Sequence, residues 1–268
     1  MRRWLALAAA TLIASAAAAV PAAAQTGPPD PAQAVKRQLR AERGVQIAEI
    51  SRAIFKDAIP NRFQVNSRVQ LGPAGPVAAD TTMQWGLDPE SRKTAETNER
   101  LADLESPVQM TVVGGYLYAF GLYSLPAGKT WVRSARPGTV AKDARESASQ
   151  QTVVNVFDPA ALKTLLKGAT VKPVSGGFFY QGTLTRPKVS WHLWTDATGL
   201  PKRLLTNKHV TGMNRLAKIE RVDTRYADWG VPLVVVPPPA DEVIDFEDLE
   251  DPFGLFKSEP KELINALQ

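Results

Sequence analysis

The side chains that could do chemistry are few. The 268-residue chain holds two histidines, His192 and His209, and no cysteine. The two imidazoles are not at a metal-ligating spacing, and without a thiolate they make a zinc centre a poor reading. His192 lies between Trp191 and Trp194 in a run that reads as a strand, so an ordinary strand histidine explains it more simply than a ligand or a base. There is no Gly-x-Ser-x-Gly elbow, phosphate loop or dinucleotide fingerprint. Gly114-Gly115 and Gly176-Gly177 are isolated pairs that hairpin turns account for. Acid pairs such as Asp248 and Asp251 fall in an acidic C-terminal stretch, where a solvated face is the default reading. These residues call for no catalytic set, no metal and no cofactor. A hydrolase with an unrecognised site is the remaining enzymatic alternative.

Large apolar side chains carry a stronger signal. Phe63, Val65 and Val69 alternate with polar neighbours, and so do Met83 and Trp85; Met110 and Val112, then Tyr116 and Tyr118, lie at the same two-residue spacing in strand-like runs. Phe178 and Tyr180, then Trp191 and Leu193, repeat the two-residue spacing, and Leu162 and Leu165 mark the apolar side of a short helix. Core packing explains all of these positions. The sharper alternative is a chamber between a curled sheet and its helices, lined by these residues and suited to acyl chains. Each methylene buried there contributes about 0.8 kcal/mol.

The elements that must position them follow from periodicity. Residues 32–58 read as a helix, because Val35, Leu39, Ile47, Ile50 and Ile54 fall mostly at three- and four-residue steps, with Gly44 weakening the middle and Pro60 as the stop. The period then changes to two over Phe63–Leu71 and Val77–Trp85, which predicts a hairpin about the turn at residues 72–76. Residues 88–104 are polar and read as an excursion. Val108–Val112 and the run from Tyr116 form a second hairpin about Gly114-Gly115, and Lys129–Arg133 is a further extended piece. Residues 134–152 are again polar. Asp158 is a good N-cap, Pro159 suits the first helical position and Gly168 the C′ position, so a short helix lies between them. Strands follow at 178–186, 189–195, 202–207, 215–225 and 233–236. Runs of strands joined by turns, with two helices, make an α+β fold with about 9–11 antiparallel strands. A sheet of that width must curl, and the helices cover its concave face.

The N-terminus and the charge distribution bound the setting. Arg2 and Arg3, the uncharged run Leu5–Val20 and Ala22–Ala24 read as an export signal over residues 1–24, cut before Gln25. The apolar run is shorter than the ~20 residues of a membrane-spanning helix. Residues 25–31 read as a flexible tether and residues 32–239 as the folded domain. The stretch 240–268 carries nine acidic residues against Lys257 and Lys261 and reads as a disordered or loosely docked tail. The chain as a whole is net +5, so the body is basic and could be drawn to anionic head groups or envelope polymers. Its cations are scattered without a stripe, which argues against nucleic acid.

Several phrases, taken in order, carry a resemblance. They are Met110-Thr-Val-Val-Gly-Gly-Tyr-Leu-Tyr118, Leu125-Pro-Ala-Gly-Lys-Thr-Trp-Val-Arg133, the capped Asp158-Pro159 helix, Trp191 to Pro201, Tyr226 to Pro232, and Pro237 to Asp241. Over residues 33–245 the chain resembles the LppX/LprG type of cell-envelope lipoproteins, whose fold is similar to LolA. The resemblance implies a half-barrel with helices on its concave face, a cavity for a lipid or acylated envelope molecule, and carrying rather than catalysis. It differs in lacking the lipobox cysteine, which implies an exported protein, secreted or in the envelope space, without a lipid anchor. The expectation is therefore a monomeric, non-enzymatic lipid binder, with an envelope protein as a further partner. The alternative is an interaction module with the same fold, a filled core and no bound lipid.

Overall fold

The computed structural model describes residues 27–55, 61–86, 93, 106–135, 140–151, 153–209 and 217–250. The expected signal, the larger parts of the excursion and most of the acidic stretch lie outside these residues.

Helix α1 spans Pro31–Gln38, with Asp30 as N-cap accepting from the Ala32 amide at 2.9 Å and Pro31 opening the first turn. It ends there, and the long helix expected over 32–58 does not form. Arg43–Phe55 is instead strand β1. The chain reverses between the two at Glu42, whose φ is 56°. Within β1, Val45, Ile47 and Glu49 are buried, while Gln46 and Ala48 between them are exposed. β-branched side chains favour this extended form. The isoleucine spacing that looks helical is a coincidence of two periods, and an acid on the buried face hid the alternation.

The next strands are β2 (Asn61–Gly72) and β3 (Gly75–Gly86), joined by Pro73-Ala74, then β4 (Val108–Val113) and β5 (Tyr116–Phe120). Gly114 and Gly115 take φ of 61° and 83°, the pair of positive values that a two-residue hairpin requires. β6 is Trp131–Ala135. Helix α2, Val140–Ala148, forms inside the stretch read only as polar, and α3 is Pro159–Leu166. Asp158 caps α3 by accepting from the Ala160 and Ala161 amides at 2.9 and 3.0 Å. Strands β7 (Thr170–Val174), β8 (Gly177–Leu184), β9 (Val189–Asp196), β10 (Pro201–His209) and β11 (Ala217–Pro232) complete the main run. Residues 233–236, expected as a strand, join no ladder; the Val235 amide donates to Gln70 Oε1 at 2.8 Å. The first residues of the acidic stretch fold back between two short 3-10 turns as β12, Val243–Asp245.

All twelve strands form one open, curled sheet in the order β12-β6-β5-β4-β3-β2-β1-β11-β10-β9-β8-β7. Every neighbouring pair is antiparallel except β12 with β6. This is the expected α+β half-barrel, with three helices among the described residues rather than two. α2 lies against β2, β3 and β4, while α1 packs on α3 and α3 reaches β8. The helices bury one sheet face. On that face the core joins Val35 of α1, Ala144 and Ala148 of α2 and Leu162 of α3 to Val45, Val69, Leu71, Trp191, Leu193 and Leu204 of the strands. Small residues at Ala144 and Ala148, one helical turn apart, let α2 approach the sheet closely.

Candidate binding site

The ladder decides which side chains share the helix-covered face. Phe63, Val65 and Val69 of β2 stand opposite Trp85, Met83 and Ala79 of β3, and β4 continues the face with Met110 and Val112. In the other direction it passes through β1, β11 and β10 to Trp191 and Leu193 of β9 and to Tyr180 and Phe178 of β8. Leu162 and Leu165 approach it from α3. Tyr116 and Tyr118 pair with Val113 and Thr111, and so lie on the opposite face, where the Arg133 guanidinium sits 5.0 Å from the Tyr116 ring centroid.

These residues do not surround a single chamber. Val65, Val69, Val112, Leu162, Tyr180, Trp191 and Leu193 are buried in the packed core. Phe63, Met83, Met110, Leu165 and Phe178 are half-buried, and Trp85 is 46 % exposed with its ring 4.7 Å from that of Phe63. The Tyr180 hydroxyl donates to the Pro29 carbonyl at 2.9 Å, which ties the start of the described chain to β8.

The centre of the covered face holds a polar cluster that alternation alone does not reveal. Glu49 is 1 % exposed. Its Oε2 accepts from Ser149 Oγ at 2.6 Å and Thr224 Oγ1 at 2.7 Å, and its Oε1 from the Gln150 amide at 2.6 Å. Burial pushes the Glu49 carboxyl above the ordinary range, against the lowering effect of these three bonds. Burial also raises the Tyr226 phenol, with the Glu49 charge as a second cause. Beside them Ser67 Oγ donates to the Ala148 carbonyl, and Thr206 Oγ1 to Gln151 Oε1. Segment 149–151 is thus fastened to β1 and β10 by polar bonds, and Thr224 of β11 joins the cluster through Glu49.

Among the described residues, two clefts open beside the helices. A cleft of about 410 Å³ separates α3 from β8 and β9, with Val153, Val154, Leu162, Leu165, Leu184 and Trp191 among its walls. Gly182 makes room for it: a Cβ there would stand 2.5 Å from Cζ2 of Trp191, so only glycine lets the indole lie across β8. A second cleft, of about 720 Å³, opens between α1, the β2–β3 turn, α2 and the start of α3. Lys36, Lys142, Arg145 and Lys163 line it, and none of these was singled out by the sequence reading. The opposite sheet face carries a polar groove of about 440 Å³, where Arg68 pairs with Asp80 and Gln109 also donates to Asp80.

His192 lies on the opposite face from Trp191, with its ring 5.5 Å from Phe179 and 6.0 Å from Trp194, and His209 is exposed. No group of three or more metal-ligating side chains occurs among the described residues. Nor is any helix among them long and apolar enough to cross a membrane.

No family model matches the chain, and no curated protein matches it. Among solved structures it is similar to a LolA superfamily protein from Nitrosomonas europaea, at 14 % identity and a TM-score of 0.26 over 77 % of this chain and 94 % of that one. It is similar to a DUF1329 family protein from Desulfovibrio piger, at 10 % identity and a TM-score of 0.27 over 76 % and 92 %. A putative outer membrane lipoprotein-sorting protein domain from Vibrio parahaemolyticus gives 11 % identity and a TM-score of 0.27 over 74 % and 89 %. Likeness this loose transfers no function and no site residue.

Proposed function

We propose that the protein is a non-enzymatic binder of an amphiphile whose acyl portion lies in the cleft between α3 and β8–β9. The observation that carries this reading is the cleft itself: about 410 Å³, with Val153, Val154, Leu162, Leu165, Leu184 and Trp191 among walls that also include Asn155, Thr164, Lys167 and Thr183. That volume lies within the range of small-molecule sites. Eight methylenes buried there would contribute roughly 6 kcal/mol before the costs of ordering the chain. The resemblance of the ordered phrases to the LppX/LprG type supports the same class of ligand. In this reading the signal expected over residues 1–24 directs the protein out of the cytoplasm. The absence of a cysteine leaves it unanchored there, as one domain over residues 32–239 whose sheet gains an edge strand from residues 243–245.

The test is uptake of a fluorescent fatty acyl probe by delipidated protein. Ala161 is exposed and lines the cleft, so Ala161→Trp should fill it without disturbing the core. Loss of most probe binding in a variant of unchanged stability is the expected result; unchanged binding would sink the assignment. One observation favours the second reading, an interaction module with a filled core: Val45, Val65, Val69, Leu193 and Leu204 under the middle of the sheet are fully buried. If neither wild type nor variant takes up acyl probes, that second reading stands.

A further inference from the structure

The 720 Å³ cleft gathers positive charge from three separate helices: Lys36 from α1, Lys142 and Arg145 from α2, and Lys163 from α3. Lys36, Lys142 and Lys163 form no ion pair among the described residues, and Arg145 pairs only with its chain neighbour Glu146 at 3.4 Å. Among the described lining residues Asp158 is the one carboxylate, and its Oδ1 is engaged by the first amides of α3. Four cations facing one acid in a single concavity leave an excess of positive charge that repels itself, and an anion placed among them removes that repulsion. A phosphate group suits the arrangement, because it presents several oxygens to donors arriving from different sides. The basic cleft and the apolar cleft lie on two sides of α3 and share Asn155 as a wall.

We propose that this basic cleft is an anion site that receives the phosphate group of an amphiphile whose acyl chain lies in the apolar cleft across α3. The proposal rests on the acyl reading given above and adds the chemistry of the head. An acidic peptide would use the cations and leave the adjoining apolar cleft without a role, whereas a phosphorylated amphiphile uses both.

The experiment compares lysophosphatidic acid with the monoacylglycerol of the same acyl chain, which differs only by the phosphate. Binding of each to the full chain is measured by calorimetry, for wild type and for Lys36→Gln/Lys142→Gln/Lys163→Gln. All three lysines are exposed, so the variant should fold. Wild type should prefer the phosphorylated lipid by about tenfold or more, with the preference falling as salt is raised. The triple variant should lose that preference while its affinity for monoacylglycerol stays unchanged. Equal binding of the two lipids by wild type, or a preference that survives in the variant, would overturn the anion site and leave the acyl reading intact. If wild type binds neither lipid, the acyl reading fails, and inorganic pyrophosphate titrated in the same way decides the anion site separately. Pyrophosphate binding that the variant loses upholds it, and no binding overturns it.

Discussion

Two carboxylates sit at opposite extremes of this sheet. Glu49 lies at the centre of the covered face, held by two hydroxyls and an amide, with no ion pair among the described residues. Asp245 lies on the edge strand β12, where both its oxygens meet Arg133, at 2.6 and 2.7 Å. Burial raises the first and the guanidinium lowers the second. Both acids are fully hydrogen-bonded, yet their energetic characters are opposite. Glu49 loses water on all sides, so its donors offset a penalty they do not abolish. Asp245 stays more than a third exposed, so its ion pair is nearly free to form and gains little. The hydrogen-bond inventory of a site does not reveal its strength; the water it has lost does.

Three measurements press on that contrast. Glu49→Ala should have the largest effect. It strands the Ser149 and Thr224 hydroxyls and the Gln150 amide in a buried site, for a loss of about 3–5 kcal/mol in urea denaturation. A loss under about 1 kcal/mol would mean that water reaches the cluster.

Next comes pH. The raised folded-state value means that native protein holds the Glu49 proton more tightly than unfolded chain does. The stability it contributes is therefore fully present below the ordinary value of 4.5 and fades as pH rises through the raised one. Asp245 runs the other way: its contribution is present above 3.8 and is lost as pH falls through its lowered value. Stability curves of wild type and Glu49→Gln should diverge above pH 4.5, with the glutamine variant losing less as pH rises. Parallel curves would remove the burial argument.

The smallest effect belongs to Asp245→Asn, at no more than about 1 kcal/mol globally. Its signature is local: faster hydrogen exchange in β6 and β12, which 1 M salt should reproduce in wild type. A global change as large as that of Glu49→Ala would erase the difference between the regions.

The same contrast explains what could be read from sequence. The β2–β3 hairpin, the Gly114-Gly115 turn and the caps of α3 were legible, because each rests on neighbours within a few residues. β1 was not, since Glu49 occupies a position where alternation demands an apolar side chain, and its partners lie at 149, 150 and 224. Helix α2 escaped because Ala144 and Ala148 are too small to stand out as an apolar stripe. Of the residues expected to line one chamber, Leu162, Leu165 and Trp191 do line the apolar cleft. The cations of the second cleft come together only through the packing of three helices, and no local pattern foretells that.

The central position of β1 also constrains how the molecule comes into being. The first strand in sequence is paired on one side with β2 and on the other with β11, so Glu49 bonds to a threonine 175 positions away. Contacts this distant along the chain must wait for a large loop to close, and they make folding slow. A growing chain has hairpins but no middle to its sheet until residues 217–232 have been synthesised. Until then the Glu49 carboxylate stays in water as an ordinary ionised acid. The last long strand to appear is the one that shuts water out.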